Sequence, residues 1–466
     1  MRIRRPRRAG ADAARLRLAM QLAIAAGVGV LGWSEGARAQ VAPAAPESIA
    51  VGDWQLVPVA ELRMRGEYRR DLDQENHAIL VERARLGLDA TRGSIEARVV
   101  LQDARVVDLG ATADPVVGPG AASVTGAYEA WVDAHTESER PSFVRAGRQA
   151  ISWGEGRLLG VADWSPGGRS LDAVRGRLVV GDSAFELLAA ALTDPATSAA
   201  VTSYGELFGA RAEWAFDPIF AVDAYALARV AQAEPRDSLD ASIRGETYTG
   251  ALRLHGAARG WQWGGEGTYQ FGRAEDLGEN RAAWAAAAHV EYTFEAVAWR
   301  PSVRVGAAYA SGDSGGRTVR AFDPLLPDVH TWHGAMDLFA WSNEEEASGR
   351  VVIAPWTDAR ATVEYRYAQL ARPDGAWRTG YLTTVGPVGH ASGNTLASLG
   401  HEIDAALRWS PWPPFSIEGG YSIALLGDGA RAVLAASAIG RGEGPGALST
   451  APVSHFAYGQ VTVALP

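Results

Sequence analysis

The chain has 466 residues, a formal net charge of −10 at pH 7, no cysteine and no lysine. The lack of cysteine excludes disulfides, thiolate metal sites and thiol nucleophiles, and the acidic balance argues against nucleic acid as a partner. Net charge does not say which way individual side chains face, so an arginine-lined interior is compatible with it.

Residues 1–39 have the pattern of a cleaved secretory signal. Seven arginines lie within the first 17 residues, an apolar run extends from Leu18 to Trp33, and the small-x-small motif Ala37-Arg38-Ala39 follows. The apolar run is short for a membrane span of about 20 residues. We therefore predict an exported chain in which residues 40–52, rich in Ala and Pro, form a short periplasmic lead and residues 53–466 form one domain. Loss of eight Arg and two acidic residues would lower the charge from −10 to about −16.

From about residue 54 to the end, apolar and polar residues alternate with a period of two. In residues 61–69, for example, Leu62, Met64 and Tyr68 share one face and the charged residues share the other. A strand separates such residues cleanly, whereas a helix scatters them. Segments of about nine to eleven residues fit tilted membrane crossings. We predict an all-β fold, a single transmembrane antiparallel barrel of about 16–18 strands, with a soluble two-sheet sandwich as the alternative.

Turns and aromatic residues support the same topology. Residues 216–218, 298–301 and 410–414 are predicted short periplasmic turns. Long connections are predicted to be extracellular loops or constrictions folded into the barrel, and they are residues 106–123, 154–170, 231–245, 272–283, 311–350, 370–397 and 427–452. No pattern of helices is evident. Aromatic residues near predicted strand ends indicate interfacial girdles, and these are Tyr128, Trp214, Trp261, Trp299, Trp409 and Tyr421.

Arginines recur on the predicted inner face of the wall. One interpretation is an electrostatic path for an anionic solute, since fixed charges set pore selectivity. The alternative is cross-strand pairing with acids such as Glu61, Glu67, Glu96, Glu213, Glu364 and Asp404, which stiffens the wall. The candidate residues are Arg63, Arg65, Arg83, Arg85, Arg98, Arg145, Arg148, Arg157, Arg175, Arg177, Arg211, Arg229, Arg253, Arg304, Arg366 and Arg408.

Two loop segments carry further charge. The Gly-rich segment after Gln149 contains Glu155, Arg157, Asp163 and Arg169, which either present guanidinium groups to an anion or hold the loop together by ion pairs. In the second segment, Asp313, Asp323 and Asp337 are weak candidates for a calcium site, with turn formation as the alternative. We predict neither a metal nor a cofactor, because His330 and His333 share no recognisable ligand face.

Three spaced motifs resemble the alginate-export family of bacterial outer-membrane barrels. They lie at residues 147–172, at residues 310–343, and at residues 399–404 with 418–422. The residues that carry the resemblance are Arg148, Arg157, Asp163, Trp164, Asp172, Gly312, Asp313, Phe322, Asp323, His330, Gly334, Asp337, Asn343, Gly400, Glu402 and Asp404. The resemblance implies a monomeric eighteen-strand barrel in the outer membrane of a Gram-negative bacterium, contacting outer-membrane lipid and inserted by the barrel-assembly machinery, that passively conducts an anionic polysaccharide.

The chain departs from the family pattern in two respects. It ends Val463-Ala464-Leu465-Pro466 without a terminal aromatic residue, and its predicted inner face is mixed in sign. The expected function is passage of an anionic polysaccharide or oligosaccharide, with a weakly selective uptake porin for small acids or sugars as the alternative. A barrel enzyme is the remote alternative, because no Ser, His and acid share a plausible register.

Overall fold

The computed structural model describes residues 48–465, apart from residues 71, 73–75, 110–122, 193–203, 218, 233–243, 275–278, 387–390 and 441–452. The predicted signal and residues 40–47 of the predicted lead lie outside the described residues.

Within the described residues, eighteen long strands form one closed antiparallel sheet. Each strand pairs with the next, and β1 pairs with β18 from Ala60–Leu465 to Arg70–His455, which closes the cylinder. The predicted transmembrane barrel of about 16–18 strands is therefore confirmed. The strands are β1 Trp54–Arg70, β2 His77–Arg92, β3 Ile95–Asp108, β4 Val124–His135, β5 Phe143–Gln149, β6 Leu171–Val180, β7 Ser183–Leu192, β8 Tyr204–Asp217, β9 Phe220–Gln232, β10 Arg244–Ala258, β11 Trp261–Arg273, β12 Asn280–Thr293, β13 Ser302–Ala310, β14 Glu344–Ile353, β15 Ala359–Gln369, β16 Ser398–Trp412, β17 Phe415–Leu426 and β18 Val453–Leu465.

The two faces of the wall have opposite chemistry. On β1, Leu62 is 51% exposed on the outside, whereas Arg65, three residues on, is 1% exposed on the inside. The same contrast separates Leu86 and Leu187 from Arg83 and Glu186. A soluble sandwich would bury its apolar face against a second sheet, but here the apolar face is the outer surface of a closed cylinder. This arrangement suits contact with hydrocarbon.

Several aromatic side chains lie on the outer surface beside the periplasmic turns. Trp261, Trp299, Trp409 and Tyr421 are exposed as predicted, and Trp214 packs edge-on against Phe185. Tyr128 is the exception. The pairing of β3 with β4 shifts register beside Val100–Leu101, and this bulge turns Tyr128 inward, where its ring lies under the guanidinium of Arg85 at 3.4 Å. The prediction that Tyr128 belongs to a girdle was wrong because a bulge reverses the alternation of side chains.

Several short elements accompany the barrel. Residues Ile49–Val51, at the end of the predicted lead, pair with the start of β1. Thr318–Val319 adds to β12, and Trp377–Arg378 pairs with Thr384–Val385. The last long loop contains a helix, α1 at Asp428–Gly440, which the sequence reading missed. Among the described helical segments, none has the length and hydropathy of a membrane span.

The connections differ at the two ends of the barrel. Residues 93–94, 181–182 and 259–260 form tight turns at the end that also holds both ends of the described chain. By the usual topology of outer-membrane barrels this end faces the periplasm. At the other end, residues 150–170 and 311–343 fold into the barrel instead of extending away from it. We call them the first inward loop and the second inward loop.

Substituting Leu187→Arg tests the lipid-facing assignment. Leu187 lies near the middle of β7 with its side chain 66% exposed, and an Arg at the bilayer midplane costs about 2–4 kcal/mol. Val180→Arg is the matched control, because Val180 lies on the same outer face beside the periplasmic turn, where the cost falls to about 0–1 kcal/mol. Denaturant titration of the protein in lipid vesicles measures both values. Equal costs at the two positions would contradict the assignment.

Candidate functional site

The two inward loops are joined to each other across the interior of the barrel. Leu159 and Leu326 form a parallel bridge, the Gly160 amide donates to the Leu326 carbonyl at 2.8 Å, and the Leu326 amide donates to the Leu158 carbonyl at 3.0 Å. A side chain at Gly160 would lie 2.8 Å from the Asp328 side chain, so only glycine permits this approach. The two loops therefore form one element inside the barrel.

Arg169 consolidates this junction. Its guanidinium is 2% exposed and donates to the carbonyls of Gly160 at 2.7 Å and Pro327 at 3.1 Å, one from each loop. Burial lowers the pKa of Arg169 to about 10, so the group is charged at neutral pH. A guanidinium has five donors in a planar fork, which lets one side chain satisfy several carbonyls that would otherwise be buried without partners.

Asp163, at the tip of the first inward loop, is held by three arginines of the barrel wall. Arg63 approaches its carboxylate at 3.4 Å, Arg83 at 2.9 Å and Arg85 at 3.3 Å. Alternation along β1 and β2 places all three on the inner face. Desolvation inside the barrel opposes ionisation, but Arg83, Arg63 and Arg85 outweigh it and hold the pKa of the Asp163 carboxyl well below its usual range. The clamp thus fixes the loop as an ion-pair network.

Trp164 lies between a cation and an aromatic ring. The Arg65 guanidinium is 3.6 Å from one ring centroid, and the His330 imidazole stacks on the indole at 3.9 Å with planes 6° apart. His330 in turn contacts Asp337 at 3.1 Å through Nδ1. Cation–π contacts of this kind are strongest when desolvated. Trp164 therefore links the wall, the first inward loop and the second inward loop.

The second inward loop is fastened at Trp332. The Trp332 indole N–H donates to the Glu155 carbonyl at 2.7 Å, the Arg157 guanidinium lies over its ring at 4.0 Å, and Arg366 of the wall donates to its carbonyl at 2.7 Å. Gly334 follows with φ of +96°, and a side chain there would approach Glu402 Oε1 to 2.4 Å. The local chain path thus requires a glycine.

Other family-motif residues hydrogen-bond the second inward loop to its neighbours. Asn343 accepts from the Arg372 amide at 2.7 Å and donates to the Ala376 carbonyl at 2.9 Å. Glu402 on β16 accepts from the Met336 amide at 3.0 Å. Asp404 lies beside Glu402 on the same inner face, where both are buried. These contacts tie the loops to the wall.

Asp323 is surrounded by arginines. Arg229 contacts it at 2.5 Å and Arg378 at 3.5 Å. Although burial opposes ionisation, Arg229 and its neighbours hold the pKa of the Asp323 carboxyl well below its usual range. Asp313 has a different partner, the Gly315 amide at 3.2 Å. The weak calcium interpretation of Asp313 and Asp323 was therefore wrong, because guanidinium groups occupy the Asp323 carboxylate.

A cavity of about 1060 Å³ lies on the periplasmic side of the inward loops. The tips of both loops form its end wall, through Asp163, Trp164, His330 and Trp332. Its charged lining is balanced, with Arg63, Arg83, Arg253, Arg304 and Arg408 facing Glu61, Glu155, Asp163, Asp328 and Glu418. A much smaller gap of about 40 Å³ lies between the loops beside Trp164 and Tyr381. The inward loops therefore bound the cavity at this end.

Most predicted inner arginines face inward and contact acids, as the pairing alternative expects. Arg63, Arg83 and Arg85 contact Asp163, Arg65 contacts Glu67, Arg98 contacts Asp89 and Glu129, Arg145 contacts Asp133, Arg157 contacts Glu155, Arg175 and Arg177 contact Glu186, Arg211 contacts Glu213 and Asp223, Arg229 contacts Asp323, Arg253 contacts Asp223 and Glu155, Arg304 contacts Glu291, and Arg366 contacts Glu346 and Glu364.

Arg148 does not line the interior. It lies on the face of β5 that carries the exposed Val144 and Ala146, and it forms a two-pronged ion pair with Asp172 of β6 at 2.9 and 2.7 Å. The predicted role of Arg148 in the solute path was wrong. The parity of the strand, read from Arg145, places position 148 on the outside.

Two inner arginines differ from the rest. Arg360 and Arg408 stand directly opposite each other on β15 and β16, and neither has a carboxylate at ion-pair distance among the described residues. Arg408 lines the cavity. The sequence-based prediction did not include Arg360, Arg281 or Arg350 among the inner arginines. Arg360 could have been found, because it has the same even parity on β15 as the inward-facing Glu364 and Arg366.

A closed eighteen-strand barrel with an apolar exterior, a charged interior and two inward loops defines an outer-membrane channel. The model of the family described as Alginate export matches residues 59–437. The chain belongs to this family, which, like the fold, is of the channel type rather than an enzyme type. No curated protein matches the sequence.

Solved structures agree with this fold. OprD from Pseudomonas aeruginosa has a TM-score of 0.55 at 11% identity, over 94% of this chain and 98% of that one. OccAB2 from Acinetobacter baumannii has a TM-score of 0.55 at 13% identity, over 88% and 98%. OpdK from P. aeruginosa, solved with vanillate, has a TM-score of 0.53 at 12% identity, over 88% and 98%.

Replacing Asp163→Asn should loosen the first inward loop. The change leaves three neighbouring guanidinium groups without their shared carboxylate. Breaking a fully buried pair costs about 3–5 kcal/mol, and about half of that is expected here because the Asp163 side chain is 50% exposed to the cavity. Single-channel conductance should rise, and trypsin should cleave faster after Arg157. Asp313→Asn, in a turn outside the clamp, is the control and should change neither. An unaltered conductance and cleavage rate in Asp163→Asn would refute the clamp.

The Asp163 clamp should be insensitive to pH across the neutral range. Its folded-state pKa lies below the ordinary value of 3.8, so the stabilisation is fully present above that value and is lost only as pH falls through the lower, folded pKa. The conductance difference between wild type and Asp163→Asn should thus stay constant from pH 8 to about pH 5. A difference that vanishes within this range would show that the carboxylate is not held by the arginines.

Proposed function

We propose that this channel passes an anionic saccharide, of the uronate type, from the periplasm outward. The observation that carries the proposal is the pair Arg360 and Arg408 on the inner face near the periplasmic mouth. Like charges directly opposite one another destabilise a sheet. Arginines also stand opposite each other at Arg63–Arg83, Arg145–Arg175 and Arg304–Arg350, but each of those contacts a carboxylate. A position that departs from this rule is suited to holding an anion from solution.

The surroundings of the pair support an anion-attracting patch. Arg304 lies on the same side of the mouth, lines the cavity, and contacts Glu291 at 2.8 Å. Arg408 stands opposite Glu418 across β16 and β17 without an ion-pair contact between them, and Gln460 donates to one oxygen of the Glu418 carboxylate at 2.6 Å. Guanidinium groups match carboxylates through two parallel hydrogen bonds. A chain of uronate units presents one such carboxylate per sugar.

The second candidate function is uptake of small carboxylic acids. It is favoured by the balanced charge around the cavity, because a lining without an excess of positive charge gives a polyanion little attraction. OpdK, which has the same fold, was solved with vanillate, a small aromatic carboxylate. The two candidates share the carboxylate chemistry and differ in the size of the solute.

Planar-bilayer recordings test the anionic preference. With a salt gradient across the bilayer, the reversal potential of the wild-type channel should indicate anion selectivity, and polyuronate added on the periplasmic side should block the current. The double variant Arg360→Gln/Arg408→Gln should shift the reversal potential toward cation selectivity and lose most of the block, because the fixed charge at the mouth is gone.

Arg140→Gln is the control for this experiment. Arg140 lies in the periplasmic turn between β4 and β5 and donates to the Gly181 carbonyl at 3.3 Å. It carries the same charge as Arg360 and Arg408 and lies at the same end of the barrel, but it does not face the interior. Its variant should behave like wild type. Cation selectivity of the wild-type channel would overturn the proposal, and block by vanillate without block by polyuronate would favour the small-acid candidate.

A further inference from the structure

Three ligating side chains converge where the second inward loop meets the wall. His333 belongs to the loop, and Glu344 and Glu346 lie on the inner face at the start of β14. The His333 Nδ1 is 3.1 Å from Glu344 Oε2 and 3.3 Å from Glu346 Oε2. One ligand atom from each residue lies within 4.8 Å of the others. All three side chains are buried.

The sequence places the two carboxylates on one side of the strand. Positions 344 and 346 share parity, so both face inward, whereas Glu345 between them faces outward and accepts from the Gln369 amide at 2.5 Å. His333 reaches them because the loop folds back after Gly334. The group therefore combines residues from two elements that are ten or more positions apart in the chain.

The neighbourhood has an excess of negative charge. Arg366 contacts Glu346 and Glu364, and Arg350 contacts Glu364 at 2.8 Å. Glu402 and Asp404 lie in the field of the same Arg366. Five carboxylates, those of Glu344, Glu346, Glu364, Glu402 and Asp404, thus lie around the guanidinium groups of Arg350 and Arg366 and the His333 imidazole. Buried charges of this kind require pairing, protons or a metal ion.

Glu344 is the carboxylate of this group that lacks a hydrogen-bond donor. It is 1% exposed, and among the described residues neither of its carboxylate oxygens accepts a hydrogen bond. An imidazolium at His333 would offset part of the negative charge, but its one Nδ1 proton is directed to Glu346 at 3.3 Å, which leaves the Glu344 oxygens without a donor. A buried carboxylate without a donor points to a missing cation.

We propose that His333, Glu344 and Glu346 bind a divalent transition-metal ion of the zinc type. Zn²⁺ binds His nitrogen and carboxylate oxygen at about 2.0–2.2 Å in tetrahedral geometry, and two ligands of such a site are about 3.3 Å apart by that geometry. The observed separations of 3.1 and 3.3 Å match this spacing. Water fills the fourth position. The imidazole distinguishes the site from calcium and magnesium sites, which prefer oxygen.

A second group of candidate ligands shows why this one is favoured. Glu96, Asp133 and His135 also lie close together, but Asp133 is engaged by Arg145 at 2.5 Å and by His135 at 2.9 Å. Glu346 is likewise engaged by Arg366, but all three side chains at His333 are buried and Glu344 has no donor, whereas Glu96 and His135 are only half-buried. At His333 the metal would join the second inward loop to the wall, so that its binding fixes the loop that narrows the interior.

Isothermal titration with Zn²⁺ tests the proposal. The full-length mature protein is purified in detergent, stripped with a chelator and titrated. Wild type should bind one equivalent, and its thermal unfolding midpoint should rise when the ion is added. His333→Ala and Glu344→Gln should each weaken binding at least tenfold and lose this rise. Glu345→Gln is the matched control, since it removes the neighbouring outward carboxylate, and it should bind like wild type.

X-ray absorption at the zinc edge of the wild-type protein covers the case in which a variant does not fold. The expected first shell has one imidazole nitrogen with the rest oxygen. The proposal is overturned if stripped wild type binds no stoichiometric Zn²⁺, if the absorption spectrum shows two or more imidazoles, or if His333→Ala binds as tightly as wild type.

Discussion

The constraint on which this structure depends is the pairing of charge inside a closed cylinder. Closure of β1 onto β18 satisfies the backbone hydrogen bonds of every barrel strand, which is what allows a sheet to face lipid. The same closure forces all inward side chains into one limited volume. Arginines and acids of neighbouring strands must then compensate each other or contact water, and the ion pairs along the wall are the direct result.

The inward loops exploit these wall charges. Arg63, Arg83 and Arg85 would repel one another without Asp163, and the loop supplies that carboxylate where these three guanidinium groups meet. Arg229 and Asp323 repeat the device for the second loop. Most of the inner arginines that the sequence suggested for solute attraction are therefore paired with carboxylates of the loops or the wall. Two inner arginines that contact no carboxylate among the described residues, Arg360 and Arg408, lie elsewhere, near the periplasmic mouth, where they face each other.

Strand alternation made most of the barrel predictable, and its interruptions mark what was missed. Leu62 and Arg65 were placed correctly because their strand is long and regular. Tyr128 was misplaced because a bulge, which leaves no clear trace in composition, reversed the parity of β4. Arg148 was misplaced because motif membership was given more weight than the parity set by Arg145. The helix α1 was missed because its Ala-rich sequence lies inside a loop bounded by glycines, where period two was already lost.

Partners inside the lumen could not be read from the sequence, for a reason of distance along the chain. Asp163 and Arg63 are 100 positions apart, and Glu155 and Trp332 are 177 apart, so no local periodicity connects them. Only the closed cylinder brings them together.

The contacts that anchor the loops also differ in their exposure to water. The Asp163 clamp borders water and is screened, whereas the group at His333 is dry. Dissolved salt screens an ion pair that is exposed to water, such as the Asp163 clamp, much more than it screens a buried group. The second inward loop therefore shares the arginine–carboxylate device of the first, through Arg229 and Asp323, and has in the buried group at His333 a further contact with the wall that the Asp163 clamp does not supply.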